Sequence, residues 1–236
     1  ATACIMSLDG IGLLAATTPL QLATQAIGWR AVFMALAAVT LATALLILFM
    51  VPERSGIATA MQPLRVQIRQ VGRIYTDRVF LALAPLLSTT AGTHIAIQTL
   101  WAGPWFQDVG GLDRMGTANA LMVMAAVFIV STLLTGVVAD RLVRRGVSLL
   151  TVMMGFMVLF LGAQIGLLQG PTNYWLALGL WCVFAMTGHV AVLAYPWLAH
   201  YFGASLSGRS NTAVNLTMFV WAFLAQYGIG GIIALF

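Results

Sequence analysis

Residues 117–146 read TANALMVMAAVFIVSTLLTGVVADRLVRRG. The stretch 117–139 has no charged residue and matches the ~20 residues that cross hydrocarbon as a helix. The remainder crowds Asp140, Arg141, Arg144 and Arg145 into a very tight turn that Gly146 closes before the next apolar run. Charge is costly at membrane depth, so a run that is charge-free and then abruptly cationic reads as a span whose end lies among lipid headgroups.

The same pattern extends outward in both directions. Residues 31–51, 80–103, 147–168, 174–199 and 211–236 are further charge-free runs of spanning length. A less clean stretch, 5–27, carries Asp9, Thr17, Thr18, Pro19, Gln21 and Gln25. The expected fold is an all-α integral membrane protein, a polytopic bundle of about seven transmembrane helices.

Arginine placement gives the orientation. If the chain begins in the cytoplasm, the segments after spans two, four and six hold Arg54, Arg65, Arg69, Arg73, Arg78, Arg141, Arg144, Arg145 and Arg209. The other side keeps Arg30 and Arg114, and short cytoplasmic loops carry the positive excess. Trp29, Trp101, Trp105, Tyr174 and Trp175 fall at outer ends, and Tyr75, Phe80, Trp197, Tyr201 and Phe202 at inner ends, as an interfacial aromatic belt requires.

Composition agrees: the chain is 61% hydrophobic and 7% charged, against about 25% charged in a soluble domain. Its net charge of +5 therefore reflects orientation and contact with anionic membrane lipid. No basic patch interleaved with exposed aromatics is present, so no nucleic acid partner is expected. Cys4 at the mouth of the first span and Cys182 inside the sixth sit at different depths, and both are expected to be free thiols. The chain starts and stops in mid-pattern, as a piece of a longer protein would.

The longest connection, 52–79, has Leu64, Ile68, Val71 and Tyr75 at helical spacing beside a row of Arg65, Arg69 and Arg73. An amphipathic helix on the cytoplasmic face would place those arginines among lipid phosphates. A solvated linker with ordinary positive-inside arginines is the second reading. In both, it is the domain boundary.

The sequence Gly136-x-x-x-Asp140-Arg141-x-x-Arg144-Arg145 resembles the loop motif of the major facilitator superfamily. That motif lies between spans 2 and 3 and, in a looser copy, between spans 8 and 9; Val143 replaces the usual glycine before the last two basic residues, as in the looser copy. The resemblance implies spans 5 to 11 of a twelve-span transporter. Residues 1–51 would be the last two spans of the first six-helix half, 52–79 the cytoplasmic linker, and 80–236 five spans of the second half. It implies a bacterial inner-membrane secondary transporter, monomeric when full length. Such a protein moves a small-molecule or ion substrate by alternating access, with ion or proton coupling and no cofactor. Gly136, Asp140, Arg141, Arg144 and Arg145 would form its conformational switch loop. There Asp140 would pair with an arginine or the N-terminal end of a helix, and Gly136 would admit a neighbouring helix. Trp101-Ala102-Gly103-Pro104-Trp105, with Asp108, Asp113 and Arg114, resembles the outer loop of nitrate or nitrite porters. Those porters carry a mid-membrane arginine in the span matching 117–139, and this span has none.

Polar groups at membrane depth are the candidate substrate contacts, because each is costly unless it faces the protein interior or a water-filled cavity. Thr90, His94, Gln98 and Trp101 share one helical face in the third span. His189 lies in the sixth span with Met186 and Cys182 on its face, and Asn215 and Gln226 lie in the seventh. Gln21 and Gln25 add amides in the first. The resemblance puts these helices around a central cavity, so the candidate set is His94, Gln98, Trp101, His189, Asn215 and Gln226. Hydrogen bonding between helices is the competing role for each, and Gln164 is expected to be structural. No nucleophile or metal constellation characteristic of an enzyme is present. A channel or seven-span receptor is the alternative function.

Overall fold

The computed structural model describes residues 12–50 and 63–235. The readings placed on Cys4, Asp9, Arg54 and the linker stretch 52–62 fall outside the described residues. Among those described, the regular elements are helices. They are α1 (Thr18–Met50), α2 (Leu64–Tyr75), α3 (Arg78–Ala96), α4 (Ala102–Asp108), α5 (Arg114–Arg144), α6 (Leu149–Leu168), α7 (Tyr174–Thr187), α8 (Ala194–Phe202) and α9 (Ser207–Ile233). A π-helical turn, Ile97–Trp101, joins α3 to α4, and a 3-10 turn, Val190–Leu193, precedes α8. Six units are long and apolar enough to cross a membrane: α1, α3 with α4, α5, α6, α7 with α8, and α9.

The polar chemistry of the connections sets the helix starts. Side-chain oxygens of Asp77, Asp113, Ser148 and Asn173 accept hydrogen bonds from backbone N–H groups in the first turns of α3, α5, α6 and α7. Each satisfies donors that have no partner within the helix. At the far end of α5, Gly146 adopts φ 90°, which a side chain would strain.

The two spans expected at 5–27 and 31–51 meet at Gly28, whose φ of 77° and ψ of 156° are open to glycine. The backbone leaves helical geometry at that residue, so 18–27 and 29–50 are two helical segments joined at Gly28; the start of the first expected span lies outside the described residues. Helices also continue past the charge-free runs. Asp140 and Arg141 belong to the last turns of α5, and the turn itself begins at Arg145.

Two apolar clusters make the core. One joins Ile74, Phe80, Leu87, Leu198, Val214 and Met218, from α2, α3, α8 and α9. The other joins Phe106, Met124, Phe160, Trp181 and Phe184, from α4 to α7. The most extensive helix pairing is α3 with α9, followed by α7 with α6 and with α5. Gly92 makes the first possible: a Cβ there would lie 2.7 Å from the Met218 carbonyl oxygen. Helix α1 leans on α5, with Val32 as its buried residue and Thr18 Oγ1 donating to Asn119 Oδ1 at 2.8 Å.

Residues Leu64–Tyr75 are helical. Tyr75 Oη donates to the Ala213 carbonyl at 3.2 Å, and Tyr201 Oη donates to Asp77 Oδ2 at 3.4 Å. These contacts gather the end of α2, the start of α3, the end of α8 and the start of α9 at one face, the face the arginines crowd.

Candidate functional site

Each of the two irregular turns lies just ahead of a proline. Pro104 is the third residue of α4 and Pro196 the third of α8. Proline has no N–H to donate, and its ring clashes with the carbonyl four residues back, here Leu100 and Val192. Both carbonyls lie inside the irregular turns. Backbone that departs from regular α-helix at membrane depth is tolerated where protein or water covers it.

His94 sits between the two apolar clusters, 4% exposed. Its ring stacks on Phe128 at 6.0 Å between centroids and 16° between planes, and lies 5.3 Å from Phe184 and 6.5 Å from Phe160. The His189 ring stands edge-on to it at 6.0 Å, and 5.0 Å from Phe128. Gly188 closes the remaining side, since a Cβ on it would lie 2.5 Å from His94 Cγ. The close approach of these two segments is a packing solution that any residue larger than glycine would block.

His94 and Gln98 pair with each other through their side chains, in a contact looser than a regular hydrogen bond, and the buried Trp101 Nε1 has no partner among the described residues. These three side chains follow one another along α3 and the π-helical turn. Gln98 and Trp101 are partly exposed. Buried polar atoms nearly always have partners, and an orphaned one costs about 1–3 kcal/mol. Such atoms also occur at Ser88, Thr117, Trp181 and Asn211, whereas His94, Gln98 and Trp101 follow one another along a single segment.

The other candidates are engaged differently. Asn215 Oδ1 accepts a hydrogen bond from Tyr195 Oη, and Gln226 Nε2 donates to Thr99 Oγ1 at 3.2 Å. Both tie α9 to a neighbouring element, as amides between membrane helices do. Thr90 Oγ1 donates to its own helix, at Leu86 O, and Gln164 Nε2 does so at Phe160 O. The expected face of Cys182, Met186 and His189 is interrupted, because α7 ends at Thr187 ahead of the Pro196 break. Cys182 is a free thiol.

Sequence reasoning missed Gly188, the phenylalanines around His94, and the bond from Trp221 Nε1 to Thr93 Oγ1 at 2.9 Å. The mid-span Thr187-Gly188-His189 triplet was the available signal for the first.

In the Asp-Arg motif, Arg144 Nε donates to the Asp140 backbone carbonyl at 3.3 Å. Asp140, Arg141, Arg144 and Arg145 are all exposed. A Cβ on Gly136 would meet nothing within 4 Å, so among the described residues the expected close helix approach does not occur there.

Six long apolar helical units, two of them carrying an irregular turn beside polar groups, define a multi-pass membrane protein. Residues 1–226 match the family described as Major Facilitator Superfamily, and the chain belongs to that superfamily of membrane transporters. Comparison with curated proteins and with solved structures gives no match.

Proposed function

We propose that the protein is a secondary transporter that carries a small polar solute by alternating access, with Gln98 and Trp101 as solute contacts and His94 and His189 immediately behind them. The observation that carries this reading is the succession of buried polar side-chain atoms at His94, Gln98 and Trp101 beside the π-helical turn at Ile97–Trp101. Interrupted helices at mid-membrane are a recurrent way to present polar groups to a transported solute. An amide oxygen, an indole N–H and neutral imidazoles offer acceptors and donors without fixed charge. His94 is too enclosed to be the first group a solute meets, which moves the leading role to Gln98 and Trp101. Asn215 and Gln226 join helices on this reading.

Described carboxylates lie in connections or near helix ends, at Asp77, Asp108, Asp113 and Asp140. His94, enclosed among phenylalanines, is held neutral by burial, which leaves His189 as the basic group at depth to carry a coupling proton. The absence of arginine within 117–139 speaks against nitrate as the solute. In the same reading α1 belongs to the first half of a twelve-span protein, residues 52–79 link the halves, and α3 to α9 belong to the second. Asp140 and its arginines act as the switch loop, with Asp140 meeting a helix end in one of the two access states.

Solute uptake and efflux, screened in vesicles with and without a pH gradient, test the proposal. Gln98→Ala and Trp101→Phe, inserted at normal levels, should raise the apparent KM several-fold, the equivalent of about 1 to 2 kcal/mol for a lost polar contact. Unchanged KM with lowered stability would assign both residues to helix contacts.

A further inference from the structure

We infer that α2 docks on an anionic lipid surface, laying its apolar stripe into the bilayer and its arginine row among the headgroup phosphates. This inference does not rest on the identity of the solute. At 3.6 residues per turn, Leu64, Ile68 and Val71 form one stripe, and Arg65, Arg69 and Arg73 form a second row roughly a third of a turn round. The apolar stripe meets the bundle at its C-terminal end, where Tyr75 continues it and bonds to α9, while Leu64, Ile68 and Val71 and the arginine row stay outside. The side that faces the bundle presents Gln67, Gln70 and Ile74, with Ile74 fully buried. An ordinary surface helix turns its apolar stripe toward the core. Here Leu64, Ile68 and Val71 are 71%, 63% and 39% exposed, while two glutamines take the protein side.

Position and charge identify the occupant. The anchor at Ile74 and Tyr75 fixes the C-terminal end of α2 beside the start of α9 and one turn before the span that begins at Arg78. The helix is therefore held at the level where spans enter the membrane. It contains three arginines and no acidic residue, so its charge complements anionic phospholipid. A stripe of three aliphatic side chains suits insertion at the boundary of headgroups and acyl chains, and is narrow for a stable protein interface. Arginine stems can lie along the apolar surface while their guanidinium groups reach the phosphates.

The test places a nitroxide at Ile68→Cys, in purified protein with Cys4 and Cys182 replaced by serine, in bilayers of phosphatidylcholine alone or with one quarter phosphatidylglycerol. Ile68 is exposed, so the labelled variant should fold. Relaxation by oxygen should exceed relaxation by a water-soluble nickel chelate in the mixed bilayer, and the difference should shrink with phosphatidylcholine alone. Replacing Arg65, Arg69 and Arg73 together by glutamine should abolish that dependence on lipid charge, while a label at Arg69→Cys should favour the nickel reagent. Dominant nickel relaxation at position 68 in both bilayers would mean a solvated helix and overturn the inference. So would protection from both reagents, which would mean a protein partner, or equal oxygen preference in both bilayers, which would mean no role for lipid charge.

Discussion

An alanine at Gly188 would bring a methyl carbon to 2.5 Å from His94 Cγ, on a ring already held by Phe128, Phe160 and Phe184. The ring has nowhere to retreat, so Gly188→Ala should cost about 1–3 kcal/mol. The cost should be largely relieved in combination with His94→Ala, because the two changes share one contact. Apparent thermal midpoints of the four proteins in detergent check this, and strictly additive losses would show that the glycine and the imidazole do not interact. Gly92→Ala should be worse tolerated, since its Cβ would face the Met218 backbone oxygen and α9 itself would have to shift. His94, Gln98 and Trp101 were legible in the sequence because a polar residue in a charge-free run is conspicuous. Gly188 was not, because glycine is common in membrane helices and its necessity here depends on a partner 94 positions away in the chain.

At the scale of elements, the chain discloses where helices begin and conceals where they break. Asp77, Asp113, Ser148 and Asn173 sit just before apolar runs, where an N-cap is required, and each caps a helix. Pro196 is equally visible, yet the apolar run 174–199 reads straight through it, and the run 80–103 passes over the irregular turn that precedes Pro104. Hydropathy averages over about twenty residues and does not register a single missing N–H. The breaks predict uneven local stability: backbone amides of 188–193 should exchange hydrogen faster than those in the middle of α5, as mass spectrometry of the reconstituted protein would show. Uniform protection across both regions would mean that the interruptions are rigid and sealed. The seam of α3 and α9 should be less sensitive. Trp221→Phe keeps an aromatic group but is smaller, and it loses one hydrogen bond to Thr93 worth about 0.5–1.5 kcal/mol together with some packing against α3, so the thermal midpoint should fall.

At the scale of the whole molecule, the account joins a family assignment to a site proposed on one helix face. The family was readable from Gly136 to Arg145 together with span order, whereas the structure shows the motif's acid exposed and its glycine uncrowded. A switch contact made in one access state would leave it so in another, and Asp140→Asn should then slow turnover with little effect on solute affinity in a fixed state. Unchanged turnover would reduce the motif to an orienting charge cluster. Alternating access around Gln98 is the central claim, and sided labelling tests it most directly. A cysteine at position 98, in protein lacking Cys4 and Cys182, is treated with a membrane-impermeant thiol reagent in vesicles of each orientation. The account predicts reaction from both sides, each slowed by a transported solute. Reaction from neither side, or from one side alone under every solute condition, would contradict it.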